Sequence, residues 1–183
     1  MAGTYTPVTL TVEVTSERED ILTLLNDQRA MFLVPMRGLT EEQARLKTTV
    51  SDLTLGGLLK HVTLVTQNIA DEIHKRDENA TVDLESLGDA YVLTDDETVD
   101  QWLTAYAEAG AAIERLVAEA DSLDDLIPQA TAPWAPERQW WPIRKMILHL
   151  LREIAHHSGH ADILREALDG QTTMAALYDG PLP

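Results

Sequence analysis

A carboxylate and an imidazole lie four residues apart near the C-terminal end of the sequence, at Glu153 and His157. In a helix, residues at i and i+4 share one face with Cβ atoms about 5–6 Å apart, so both side chains can reach one ion. His157 also lies in line with a row of aliphatic residues, where a buried imidazole is costly unless it is hydrogen-bonded or ligates something. The pair is therefore a candidate for part of a divalent-metal site. The alternative is a hydrogen-bonded core histidine.

A third ligand has to come from another helix, and His61 is the leading candidate. It lies between Leu58 and Val65, at the edge of the apolar face of an earlier helical segment. Two histidines and one carboxylate leave positions open for water or substrate, as a catalytic metal site requires. We expect zinc first, although nickel, iron and manganese accept the same ligand types.

Other histidines in the same segment leave further assignments open. His156 and His160 are also four residues apart and form a His-x-x-x-His pair. His156 is rotated from the aliphatic row by about 100°, so we prefer Glu153 with His157. His160, and His149 one turn before Glu153, are candidates to orient a ligand by hydrogen bonding or to face the substrate.

A tryptophan-rich connection, residues 131–141, precedes this helix. Trp141 and the nearby Arg144 are candidate substrate contacts, if the connection forms a lid and the arginine receives a substrate carboxylate. Tryptophan and arginine are equally favoured in packed loops and dimer contacts, and this is the interpretation we prefer.

The candidate ligands lie in segments that the sequence pattern predicts to be helical. Apolar residues recur at spacings of three and four in four segments, which predicts helices over about 17–34, 54–74, 95–120 and 142–169. A short helical turn is predicted near residues 38–42, long loops over 75–95 and 121–141, and a strand or extended arm over 4–14. This order predicts an all-α, four-helix bundle that forms a single domain over residues 1–183.

The charge and composition exclude several classes of function. The chain has 14 Lys and Arg against 31 Asp and Glu, a formal charge of −17 that disfavours nucleic acid and anionic lipid as partners. It has no cysteine, hence no disulfide, cysteine zinc site or cysteine nucleophile. Neither a signal peptide nor a membrane-spanning run is apparent, so the predicted location is cytoplasmic.

Several stretches, in this order and spacing, resemble a known family. They are NDQRAM (26–31), GLTEEQAR (38–45), LGGLLKH (55–61), IR (143–144), HLLRE (149–153), HSGHAD (157–162), LRE (164–166) and DG (169–170). They are similar to the DinB-like superfamily, in the branch related to mycothiol-dependent maleylpyruvate isomerases and S-transferases. The resemblance covers roughly residues 20–170.

The resemblance implies a four-helix bundle, often dimeric, whose metal is held by a histidine of the second helix and two ligands of the last. These map onto His61, Glu153 and His157; in other DinB-like proteins both last-helix ligands are histidines. Relatives often carry an acidic residue five positions after the first histidine and an aromatic residue shortly beyond. Here those places hold Thr66 and Ile69, so we expect a substrate pocket of different shape.

The sequence therefore predicts a metal-dependent enzyme that acts on a small molecule with mycothiol or another low-molecular-weight thiol. S-transfer or isomerisation is the expected reaction, and a homodimer the expected assembly. A hydrolase is the first alternative, because an open metal site can also activate water. The second is a non-catalytic bundle that binds a small ligand or protein and keeps the metal for stability.

Overall fold

The computed structural model describes residues 13–84 and 88–178, and these form a mostly helical protein, which confirms the all-α prediction. The long helices are α1 (Glu17–Leu33), α3 (Leu55–Lys75), α4 (Val99–Glu119) and α5 (Ile143–Asp169). Two short helices are α2 (Glu41–Arg45) and α6 (Thr173–Tyr178), and a 3-10 turn spans Val34–Met36. Of the helices in these ranges, none has the length and apolar character needed to cross a membrane.

Local capping explains where the long helices begin. Ser16, Thr54 and Thr98 each accept a hydrogen bond from a backbone N–H in the first turn of α1, α3 and α4. Such caps stabilise a helix start by about 1 kcal/mol. Because Thr98 is the cap, α4 begins at Val99, four residues later than the sequence pattern predicted.

The long helices close into a bundle. α3 packs against α4 and α5, and α1 packs against α5 and α4, so each long helix has two long neighbours. Their shared core is aliphatic with few aromatic rings, as the composition suggested. It includes Leu25, Phe32, Leu58, Leu59, Val62, Tyr106, Ile113, Ile147, Leu150 and Ile154. The α3–α5 contact brings His61 towards the middle of α5.

Some features were not predicted from the sequence. The connection before α5 contains an antiparallel pair, β1 (Leu126–Pro128) and β2 (Trp140–Pro142), with Ile127 opposite Trp141. Helix α6 follows Gly170, which ends α5 in a left-handed conformation with φ 79°. Most of the strand or arm expected over residues 4–14 lies outside the described residues. Glu13 and Val14, which are described, form no strand.

Candidate metal centre

The predicted trio comes together in the groove between α3 and α5. His61, Glu153 and His157 each offer a ligand atom, and these atoms lie within 4.8 Å of one another. Among the described residues, no other group of three or more histidine and acidic side chains is close enough to hold one ion. The alternative His156–His160 pair therefore lacks a third ligand within this part of the chain.

The three side chains do not satisfy one another's hydrogen-bonding capacity. Nε2 of His157 lies 3.9 Å from Oε2 of Glu153, which is too long for a hydrogen bond. The rings of His61 and His157 meet edge to face, with centroids 4.7 Å apart. His157 is buried in this setting, so its imidazole and the Glu153 carboxylate lie close together without a hydrogen bond between them.

The electrostatics hold all three residues in the form that binds metal. Burial, and then the neighbouring imidazoles of His61, His156 and His160, lower the pKa of His157 to about 4. Burial also lowers the pKa of His61. Burial raises the pKa of Glu153, but the Arg152 hydrogen bond and nearby charges outweigh it and leave that pKa below its ordinary value. At neutral pH the imidazoles are unprotonated and the carboxylate is ionised, as metal ligands must be.

Neighbouring side chains orient Glu153. Nη2 of Arg152 donates to Oε1 of Glu153 at 3.0 Å and lies 2.8 Å from Nδ1 of His149. The same Nδ1 is 3.6 Å from Oε1 of Glu153. One carboxylate oxygen is thus held by Arg152, while the other faces His157.

A second contact orients His157 itself. Nδ1 of His160 lies 3.4 Å from Nδ1 of His157, on the opposite side of the ring from Nε2. A partner at one ring nitrogen fixes the tautomer and direction of the other in metal sites. The two histidines predicted as possible orienting residues, His149 and His160, therefore lie beside Glu153 and His157.

Tyr91, in the α3–α4 connection, is a residue that the sequence analysis missed. Its ring stacks on His61 with centroids 3.9 Å apart, and its hydroxyl oxygen lies 2.9 Å from Nε2 of His61. Burial and the charge of Glu153 raise the pKa of Tyr91, so the phenol is protonated and can donate to the unprotonated imidazole. Gly57 permits this arrangement, because a Cβ there would collide with the Tyr91 carbonyl. In the sequence, the Gly56–Gly57 pair could have indicated that another backbone segment approaches α3 closely, but it does not identify that segment.

The site opens into a cavity. A space of about 340 Å³ is lined by Tyr91, Arg152, Glu153, His156 and His157. A larger one, about 420 Å³, is lined by residues of α3, of α5 and of the connection before α5, among them His149, which lies beside Glu153. Reactants therefore have room beside the trio.

The remaining predicted site residues differ in position. Trp141 meets His149 edge to face, with centroids 5.8 Å apart, and lines the larger cavity. Arg144 is directed elsewhere: its guanidinium donates to Glu17 and Asp124. It is thereby held in an ion-pair network at the start of α5, with its guanidinium bound to two carboxylates of the protein.

The chemistry of these donors fits a divalent transition metal. Two imidazoles and a carboxylate suit zinc, nickel, iron and manganese alike, and leave coordination positions for a substrate atom. No curated protein is similar enough to this chain to count as a match. The family model for mycothiol-S-transferase matches residues 20–170, a range that contains His61, Glu153 and His157. The chain therefore belongs to the mycothiol-S-transferase family, within the DinB-like superfamily.

Proposed function

We propose that this protein is a metal-dependent S-transferase that uses mycothiol or a related low-molecular-weight thiol. The observation that carries the proposal is the convergence of His61, Glu153 and His157 within 4.8 Å, in ligating protonation states, at the wall of a cavity. Family membership supports the thiol as co-substrate. The three residues would hold one divalent metal.

A bound metal supplies Lewis acidity that lowers the pKa of a thiol at its open position. The protein's own groups do the rest. The Arg152 guanidinium, at the cavity wall, can donate a hydrogen bond that orients the acceptor molecule, while the Tyr91 hydroxyl positions His61. In the transfer a C–S bond forms at an electrophilic carbon, and the thiol proton ends on the leaving group or on the acceptor.

Metal content tests the first half of the proposal. We expect stoichiometric metal in wild-type protein purified without a chelating tag, and a large loss in His157→Ala, which lacks a ligand. His156→Ala is the matched control, because it removes a neighbouring but exposed imidazole and should retain the metal. Elemental analysis measures the metal, and circular dichroism checks that both variants keep their helices. A metal-free wild type that cannot be loaded would refute the site.

Thiol dependence tests the second half. Mycothiol, bacillithiol and glutathione are each offered to the metal-loaded protein with a model electrophile such as a bimane halide. We expect a conjugation rate that needs the metal and is highest with mycothiol. Loss of that rate in His157→Ala, but not in His156→Ala, would link activity to the trio. Absence of any metal-dependent rate with all three thiols contradicts the proposal, and hydrolysis of esters or amides without thiol would reassign the site.

A further inference from the structure

The larger cavity is a groove between α3 and α5, bordered by the connection that precedes α5. It begins next to the proposed metal centre: Val65 is one turn beyond His61 on α3, and His149 lies beside Glu153. Its far end is at Glu72, eleven residues beyond His61, which corresponds to about 16 Å along the helix. A molecule with its reacting carbon near the metal centre would therefore place a distal group near Glu72.

The ionisable groups in the wall of this cavity are Glu72, Glu137 and His149, and none of the described residues that line it is a lysine or arginine. Glu72 accepts a hydrogen bond from the backbone N–H of Ala130, and burial raises its pKa. The wall thus carries two carboxylates, Glu72 and Glu137, without a lysine or arginine in the lining.

Basic residues near the cavity are directed to other partners. Arg138 donates to the backbone carbonyls of Gln129 and Ala80. Lys75 pairs with Asp71 at 2.7 Å. A ligand with a positive group would consequently meet the Glu72 and Glu137 carboxylates, whereas a carboxylate ligand would find no lysine or arginine in the lining to pair with.

Indole rings complete the wall. Trp134 is 68% exposed and Trp141 is partly buried, and both line the cavity. Trp141 already carries a cation, since Nζ of Lys145 lies 3.7 Å from its ring centroid. Aromatic faces combined with carboxylates are the arrangement that recognises ammonium groups in proteins.

We infer that this cavity binds the electrophilic acceptor of the S-transfer reaction, and that its distal end selects an organic cation. The acceptor class is an amphiphilic molecule with a protonated amine or quaternary ammonium at one end and an electrophilic carbon at the other. The inference rests on the proposed function for the identity of the reaction, but not for the binding itself.

Equilibrium binding of a matched probe series tests the inference without turnover. The probes are 4-phenylbutylammonium, 4-phenylbutanol and 4-phenylbutyrate, which share an apolar body and differ in end group. Their affinities for the wild-type protein are measured by calorimetry. We expect the ammonium to bind about tenfold more tightly than the alcohol, and the carboxylate to bind most weakly.

Two variants and a control locate the preference. Glu72→Gln should remove most of the ammonium preference, because it deletes the distal charge. Trp134→Ala, which removes an exposed ring, should weaken ammonium binding severalfold. Glu108→Gln makes the same charge change on an exposed position of α4 and should leave the preference intact.

The outcomes separate this inference from the proposed function. Equal binding of ammonium and alcohol, or an ammonium preference that persists in Glu72→Gln, overturns the inference. Metal-dependent thiol transfer to neutral electrophiles would still stand in those cases. Conversely, a Glu72-dependent ammonium preference in a protein with no thiol activity would support the cation cavity and refute the transferase.

Discussion

Two buried polar residues on the same helix, Arg165 and His157, show how structural and functional burial differ. They lie eight residues apart on α5 and are 7% and 6% exposed. Arg165 donates to the backbone carbonyls of Pro35 and Arg37, each at 2.8 Å, and to the carboxylate of Asp169. His157 makes no comparable contact among the described residues: its polar neighbours are Nδ1 of His160 at 3.4 Å and a carboxylate oxygen of Glu153 at 3.9 Å.

The difference indicates what each residue is for. Buried polar groups in proteins are normally hydrogen-bonded, and Arg165 follows that rule by tying α5 to the turn after α1. Burial of His157 without strong partners destabilises the metal-free protein unless a ligand compensates. The number and length of hydrogen bonds, rather than burial itself, therefore distinguish the candidate ligand from the structural residue.

Substitution of Arg165 should cause the largest loss of stability. Arg165→Met leaves the carbonyls of Pro35 and Arg37 without their donor and should lower the free energy of unfolding by about 3–5 kcal/mol. Urea denaturation of the metal-free protein measures this loss. His157→Phe, on the same helix, should not lower that free energy comparably, because no strong hydrogen bond is lost.

Arg115→Met is the control for this experiment, because Arg115 is an exposed arginine of α4. It should fall within about 0.5 kcal/mol of wild type. The metal content of a folded Arg165→Met protein should remain that of wild type. A small effect of Arg165→Met, comparable with the control, would mean that the carbonyls find water instead.

Lowering the pH should produce a smaller loss of stability, and this loss should come from His157. The pKa of His157 is lowered to about 4 in the folded protein, chiefly by burial, from an unfolded value near 6.5. Below pH 6.5 the unfolded chain binds a proton that the folded protein refuses, so stability falls as the pH drops from 6.5 towards 4 and then levels off. The loss attributable to His157 should reach about 2–3 kcal/mol.

The measurement is urea denaturation of the metal-free protein between pH 7 and pH 4. His157→Phe should show a shallower decline than wild type, because its side chain does not titrate. Identical pH profiles for wild type and His157→Phe would show that His157 titrates normally.

Much of the fold was predictable because its signals are local. Thr54 as a cap and Gly170 as a stop bound α3 and α5 where the sequence pattern placed them. The β1–β2 pair was not predicted, since its two strands of three residues are too short for a pattern. The homodimer, the single domain over 1–183 and the cytoplasmic location stay predictions.

The candidate site was predictable in part, for a related reason. Helical spacing places Glu153 and His157 on one face, and the edge of the apolar face of α3 indicated His61, which the resemblance supported. Tyr91 could not be found, because it lies in an irregular connection whose path depends on packing against Gly57. Nor does the sequence pattern reveal that Arg144 is engaged by Glu17, 127 residues earlier in the chain.

Substitution of His160 should have the smallest effect, because His160 contacts His157 without belonging to the trio. Its Nδ1 lies 3.4 Å from Nδ1 of His157, so His160→Ala should release the orientation of the ring while leaving all three proposed ligands present. Loss of such an outer contact typically weakens metal binding by about 10–100-fold. We expect the lower end of that range, because this contact is long. Competition with a chelating dye measures the affinity, and His156→Ala is again the control that should match wild type. An unchanged affinity in His160→Ala would mean that packing around His157 is enough to orient its ring. Arg165, in contrast, is oriented by its own hydrogen bonds.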